Sequence, residues 1–240
     1  MDLMLFVVRG IAVAADSLRQ HNVDPGKETD TFVTDALFST ITNANFDDES
    51  IMRRIDRGLE MRDALKARAE AEGIALPDAD ELEWTGTRAD YDAKAATVGV
   101  LREENEDLRS LKELVMYGLK GMAAYLEHAM RLGYDDAEIH AFMQNALALT
   151  TVGNLTADEL TALVMKTGEV GVRTMALLDK ANTATYGNPE ATNVNIGVRN
   201  RPGILISGHD LHDLEELLEQ TKDTGIDIYT HGEMLPAHYY

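Results

Sequence analysis

The chain has 240 residues, 45% hydrophobic and 27% charged, and a formal net charge of −20 from 42 acidic and 22 basic residues. That length suits one large domain or one and a half, and that charge repels phosphate backbones, so no nucleic-acid partner is expected without a local basic patch. Cysteine is absent, which excludes disulfides, thiolate nucleophiles and any iron–sulfur cluster held by cysteines of this chain alone.

The N-terminal run Leu3–Ala15 is interrupted by Arg9 and has no basic region before it, the wrong pattern for a signal peptide. No stretch approaches the roughly 20 apolar residues of a membrane span. A cytoplasmic protein with no membrane partner is expected.

Residues 1 to about 182 read as helices in two related halves. An amphipathic helix over Leu5–Leu18 carries RGIAVAA (9–15), and one over Leu111–Leu132 carries KGMAAYL (120–126). Each is followed by a turn, NVDPG (22–26) or LGYDD (132–136), and by a shorter helix ending in a similar phrase, DALFSTITNANF (35–46) or NALALTTVGNL (145–155). Long third helices follow, near Asp48–Glu72 and Thr156–Asn182. The simplest account is two three-helix units, about 1–72 and 107–182, related by a repeat of about 110 residues.

Residues 73–106 interrupt the repeat. Their first part, to Gly99, reads as a loop-like insertion with Pro77, many acids and Trp84, the single tryptophan. An indole there is expected to anchor the connection against a bundle. Leu101–Leu111 begins a charged, solvated helix. From 183 to 202 the chain loses periodicity and gains Gly, Asn and Pro, so it reads as a linker with a domain boundary near Val198.

The final stretch, Gly203–Tyr240, changes character. Ile204–Ile206 followed by Ser207-Gly208 reads as a strand buried on both faces. Asp210 is the expected N-cap of a helix carrying Leu211, Leu214, Leu217 and Leu218, and Gly225 its stop. Ile226–Thr230 is a second strand. Strand, helix and strand in so short a span make a βαβ unit with parallel strands. The fold class is therefore mainly α, with repeated three-helix units (residues 1–198) followed by the opening of an open parallel α/β sheet (199–240).

This topology singles out His209 and Glu233, 24 residues apart (233 − 209) and each just past the carboxyl end of a strand. Ligands of open parallel sheets bind at that edge, and imidazole and carboxylate are good ligands for iron or zinc. His209, His212 and Glu216 share a helix face and offer a second zinc reading, but His212 and Glu216 on the solvent side of an acidic helix is the simpler one. His128 and His140 read as surface or boundary residues, and His21 lies in a turn. No G-x-G-x-x-G, G-x-S-x-G or Walker A phrase is present, and Ser207 beside His209 is a poor triad signal.

The phrases ISGHDL (206–211), DLEELLEQT (213–221) and YTHGEMLPAH (229–238) resemble the hybrid cluster protein (prismane) family, also called hydroxylamine reductases. The resemblance implies that His209 and Glu233 are iron ligands of an oxygen-containing hybrid iron–sulfur cluster. His231 and His238, which flank Glu233, become candidates to orient it by hydrogen bonds. It also implies reduction of hydroxylamine or related small nitrogen compounds, a second iron–sulfur cluster feeding electrons, and an electron-donor protein. Since the family's cysteines are missing, this chain looks like a portion of the family's N-terminal half, and the alternative is a helical module without a cluster.

Overall fold

The apolar N-terminal stretch forms α1 (Asp2–Gln20) in a computed structural model that describes residues 1–41 and 47–240. Its side chains are buried on nearly every side, from Leu3 and Met4 through Phe6, Val7, Val8 and Ile11 to Leu18. Only Asp2, Leu5, Arg9, Asp16, Ser17, Arg19 and Gln20 of this helix are not buried. A helix apolar almost all round belongs at a centre, and α1 is the central helix of its unit. Each fully buried Leu, Ile, Met or Phe there contributes about 1.5–3 kcal/mol of hydrophobic stabilisation.

Three helices follow the repeat expected of the first half: α1, α2 (Lys27–Ser39) and α3 (Asp48–Ala71). The second half answers with α6 (Glu106–Arg131), α7 (Ala137–Thr151) and α8 (Ala157–Tyr186). Local chemistry starts them where the polar residues stand. Asp47 accepts from the Ser50 N–H at 3.0 Å, and Asp136 from the Glu138 N–H at 3.0 Å. Thr156 and Glu159 form a reciprocal box at 2.8 and 3.3 Å ahead of α8. The phrase DALFSTITNANF ends in residues 42–46, which lie outside the described residues.

The chain divides into two compact units, residues 1–127 with 136–175, and residues 128–135 with 176–240. Within the first, the two halves interlock. Helix α1 packs about as extensively on α7 as on α3. A buried polar cluster ties them: Asp30 accepts from Arg19 at 2.5 Å and from the Gln144 amide at 2.6 Å, and the Gln144 oxygen accepts from Arg19 Nε at 3.0 Å. His140 is 2% exposed and meets the Thr34 hydroxyl at 3.3 Å, which corrects the expectation of a surface or boundary histidine. Its apolar neighbours in sequence gave no sign that a partner waited on α2, 106 residues away.

The insertion is also more ordered than a loop. It contains α4 (Asp80–Glu83) and α5 (Tyr91–Val98). Arg62, on α3 and 1% exposed, donates to the Glu81 and Trp84 carbonyls at 3.2 and 2.8 Å. Lys66 donates to the Leu82 carbonyl at 2.6 Å. Trp84 packs edge-on against Phe6 at 6.1 Å between ring centres, the anchor expected of it. Two cationic side chains of α3 thus satisfy backbone carbonyls that a loop would have left to water.

In the second unit, residues 187–202 carry no helix or strand. Strand β1 (Gly203–Ile206), helix α9 (Leu211–Thr221) and strand β2 (Asp227–Thr230) follow. The strands pair in parallel with Gly203 opposite Asp227 and Ile206 opposite Thr230. Burial of β1 on both faces does not hold: Ile204 is 37% and Leu205 68% exposed. A strand with one paired neighbour and one short helix has too little cover for both faces. The leucines of α9 are likewise only partly covered, and none of its residues is buried.

Candidate functional site

Strand register brings the candidate ligands together. The register offset between β1 and β2 is 24 residues, from Gly203↔Asp227, and His209 and Glu233 are separated by the same 24. Each therefore lies three positions past the last paired residue of its strand, Ile206 or Thr230. The ladder extends one bond further, from the His231 N–H to the Ile206 carbonyl at 2.8 Å. Gly208, at φ +134°, then turns the chain out of β1 in a conformation that side-chain-bearing residues rarely adopt.

His209 Nε2 stands 3.9 Å from a Glu233 carboxylate oxygen. That is ion-pair distance, too long for a hydrogen bond. The side chains are 66% and 55% exposed, so both present their ligand atoms at an open edge. The flanking histidines bond a backbone N–H and a side-chain hydroxyl rather than the carboxylate. His231 Nδ1 accepts from the Glu233 N–H at 3.3 Å, capping the turn of 3₁₀-helix Gly232–Tyr239. His238 Nε2 meets the Thr230 hydroxyl at 2.8 Å. Together they fix the strand end and the turn on which Glu233 sits.

Asp210, next to His209, is held more firmly. Its carboxylate caps α9 by accepting from the His212 N–H at 2.9 Å. It also lies 3.4 Å from His128 Nδ1 and 3.8 Å from Arg131 Nε, while Arg131 reaches Asp213 at 3.5 Å. Burial pushes the Asp210 carboxyl up, but hydrogen bonding and charge from His128, the His212 N–H and Arg131 outweigh it and hold it below the usual carboxylate range. His128 was expected at the surface or boundary without a partner; its side chain, 12% exposed, does lie at the boundary, but it pairs with Asp210. A lone histidine near a helix end and an aspartate 82 positions later share no sequence pattern. The one available signal was the cationic spacing His128–Arg131, i and i+3 on one face of α6.

His212 turns to its own helix, at 3.4 Å from both Glu215 and Glu216. It has no ligand atom paired with His209, which agrees with the solvent-face reading. Tyr186 donates to Glu215 at 2.9 Å, and burial and that carboxylate push the Tyr186 hydroxyl well above its usual range.

A histidine nitrogen and a carboxylate oxygen converging on one sheet edge form a partial metal-ligand set. With two protein donors, most positions around a metal would be left to water. A multi-iron cluster needs thiolates, and the sequence contains no cysteine. The residues present fit two ligands of such a centre and do not suffice to hold it.

The chain is mainly helical and carries a parallel βαβ unit with His209 and Glu233 just past its strand ends. The Prismane/CO dehydrogenase family model matches residues 1–240, and the chain belongs to that family. It is 60% identical to a hydroxylamine reductase of Bacteroides thetaiotaomicron, over all of this chain and 43% of the relative. It is 57% identical to hydroxylamine reductases of Porphyromonas gingivalis and Desulfitobacterium hafniense, over all of this chain and 44% of each. The chain thus spans less than half the length of these curated relatives. No helix among the described residues is long and apolar enough to cross a membrane.

Proposed function

We propose that this chain supplies the helical module and two metal ligands, His209 and Glu233, of a hydroxylamine reductase-type oxidoreductase. The observation that carries the reading is the 3.9 Å approach of His209 Nε2 to Glu233 at equivalent positions past paired parallel strands. The similarity to hydroxylamine reductases over the whole chain supports the same reading. When bound, a hybrid iron–sulfur–oxygen cluster would supply the two electrons that, with two protons, convert hydroxylamine to ammonia and water; a related small nitrogen compound is the alternative substrate. A second iron–sulfur cluster and an electron-donor protein belong to this proposal.

The residues' part is to bind and orient. His231 holds the Glu233 N–H, and His238 ties the 3₁₀ turn back to the Thr230 hydroxyl at the strand end. Asp210, clamped by His128 and Arg131, fixes the start of α9 and with it the backbone of His209. Thiolate ligands come from outside these 240 residues, which contain no cysteine.

The same absence favours one second reading, a helical interaction module without redox chemistry. Colour separates the two. The polypeptide encoded by the locus that carries this sequence, purified without oxygen, is expected to show brown iron–sulfur absorbance. A colourless, iron-free protein would leave the module reading standing.

A further inference from the structure

The helical unit contains a second polar site, remote in sequence from His209 and Glu233 and independent of their role. We propose that the cavity of about 150 Å³ bordered by Arg9, Arg102, Arg109 and Lys112 binds a small oxyanion on the Arg9 guanidinium. Arg9 projects from α1, the central helix, and its side chain is partly buried. Its Nε is enclosed and has no hydrogen-bond partner.

The other cations at the cavity are engaged by protein. Arg102 donates to Glu81 at 3.0 Å, Lys112 to Glu103 at 2.7 Å, and Arg109 to the Glu103 carbonyl at 3.0 Å. Two of the three lining carboxylates are therefore taken. Glu113, the third, acts on Arg9 only through space. Burial holds the Arg9 guanidinium below the usual arginine range, with Glu113 and Glu81 opposing it, yet an arginine remains charged in any protein. A partly desolvated cation whose Nε has no hydrogen-bond partner, beside a cavity where the one untaken carboxylate acts only through space, calls for an anion.

The internal repeat adds a second cation. Arg9-Gly10 and Lys120-Gly121 occupy the same place in the two halves, and Asp2 and Glu113 each stand seven residues earlier. Lys120 is held below the usual lysine range first by burial and then by the charge of Arg9, against the pull of Glu113. The repeat thus sets two cations within each other's field. An oxyanion on the guanidinium fork would neutralise that repulsion, and the planar fork suits carboxylate or phosphate oxygens. The volume, about five times a water's share of the liquid, admits acetate or inorganic phosphate and little more.

The test is calorimetric titration of the full chain with acetate and with inorganic phosphate, against chloride at matched ionic strength. Saturable binding of at least one oxyanion, weakened tenfold or more in Arg9→Met, is the expected result; acetate alone would define a planar site and phosphate alone a tetrahedral one. No oxyanion binding at millimolar concentration, or binding unchanged in Arg9→Met, overturns the proposal. Should that variant fail to fold, crystals of the unaltered chain soaked in selenate decide. Anomalous density at hydrogen-bond distance from Arg9 supports the site, and density only elsewhere removes it.

Discussion

A methyl group added at Gly10 would sit 2.3 Å from the Glu81 carbonyl oxygen and 3.1 Å from Arg62 Cδ. Gly10 is where α1 passes beneath α4, and neither that carbonyl nor the buried Arg62 can step aside. Gly121, its counterpart in the repeat, meets nothing within 4 Å. Gly10→Ala is therefore expected to cost about 1–3 kcal/mol through overpacking, while Gly121→Ala should stabilise α6 by about 0.5–1 kcal/mol. Equal effects in urea unfolding would show that the two glycines share a role. Two carboxylates give a paired pH prediction. Burial raises the Asp16 carboxyl, against hydrogen bonds from Asn145 and Gln20. The folded state then binds its proton more tightly, so this group's stability contribution falls as pH rises from about 3.9, the unfolded value, through the raised folded one. Asp56 behaves oppositely: the Arg88 hydrogen bond holds it low, so its contribution is present above about pH 3.9 and is lost as pH falls through the folded value. Relative to the unaltered chain, Asp16→Asn should gain stability with rising pH and Arg88→Met should lose it. Parallel curves for all three proteins would refute both assignments.

Among the elements, the repeated helices were legible because periodicity, turn residues and acidic caps agree at each start. The βαβ was legible too, and its register brings the candidate pair together: residues 24 apart lie at equivalent positions when the strands pair with an offset of 24. What escaped was decided by partners distant in sequence. Buried His140 has its partner in Thr34, half-buried His128 has its partner in Asp210, and the insertion is ordered because Arg62 and Lys66 reach its carbonyls. An apolar run likewise says that a strand is suited to burial, without saying how much cover exists; Leu205 remains 68% exposed. That exposure has a kinetic consequence. Both strands of a two-stranded sheet are edges, and α9 has no buried residue. Amides of β1, α9 and β2 should exchange with solvent faster than those of α1, where opening requires loss of the core. Protection of residues 203–230 equal to that of α1 would contradict the assignment of stability to the helical unit.

For the whole molecule, a charge of −20 and membership of the Prismane/CO dehydrogenase family frame a division of labour. Helices fill most of the chain and provide its core, while the parallel edge presents a nitrogen and an oxygen donor within 3.9 Å. Under the proposed function, these two donors bind iron. The most direct measurement is iron and acid-labile sulfide per polypeptide, with the paramagnetic resonance spectrum, for the anaerobically purified protein encoded at this locus and for its His209→Ala and Glu233→Gln variants. Each variant is expected to fold, as judged by circular dichroism, but to lose iron and the cluster's resonance signal. Unchanged iron content and an unchanged spectrum in both variants would contradict it.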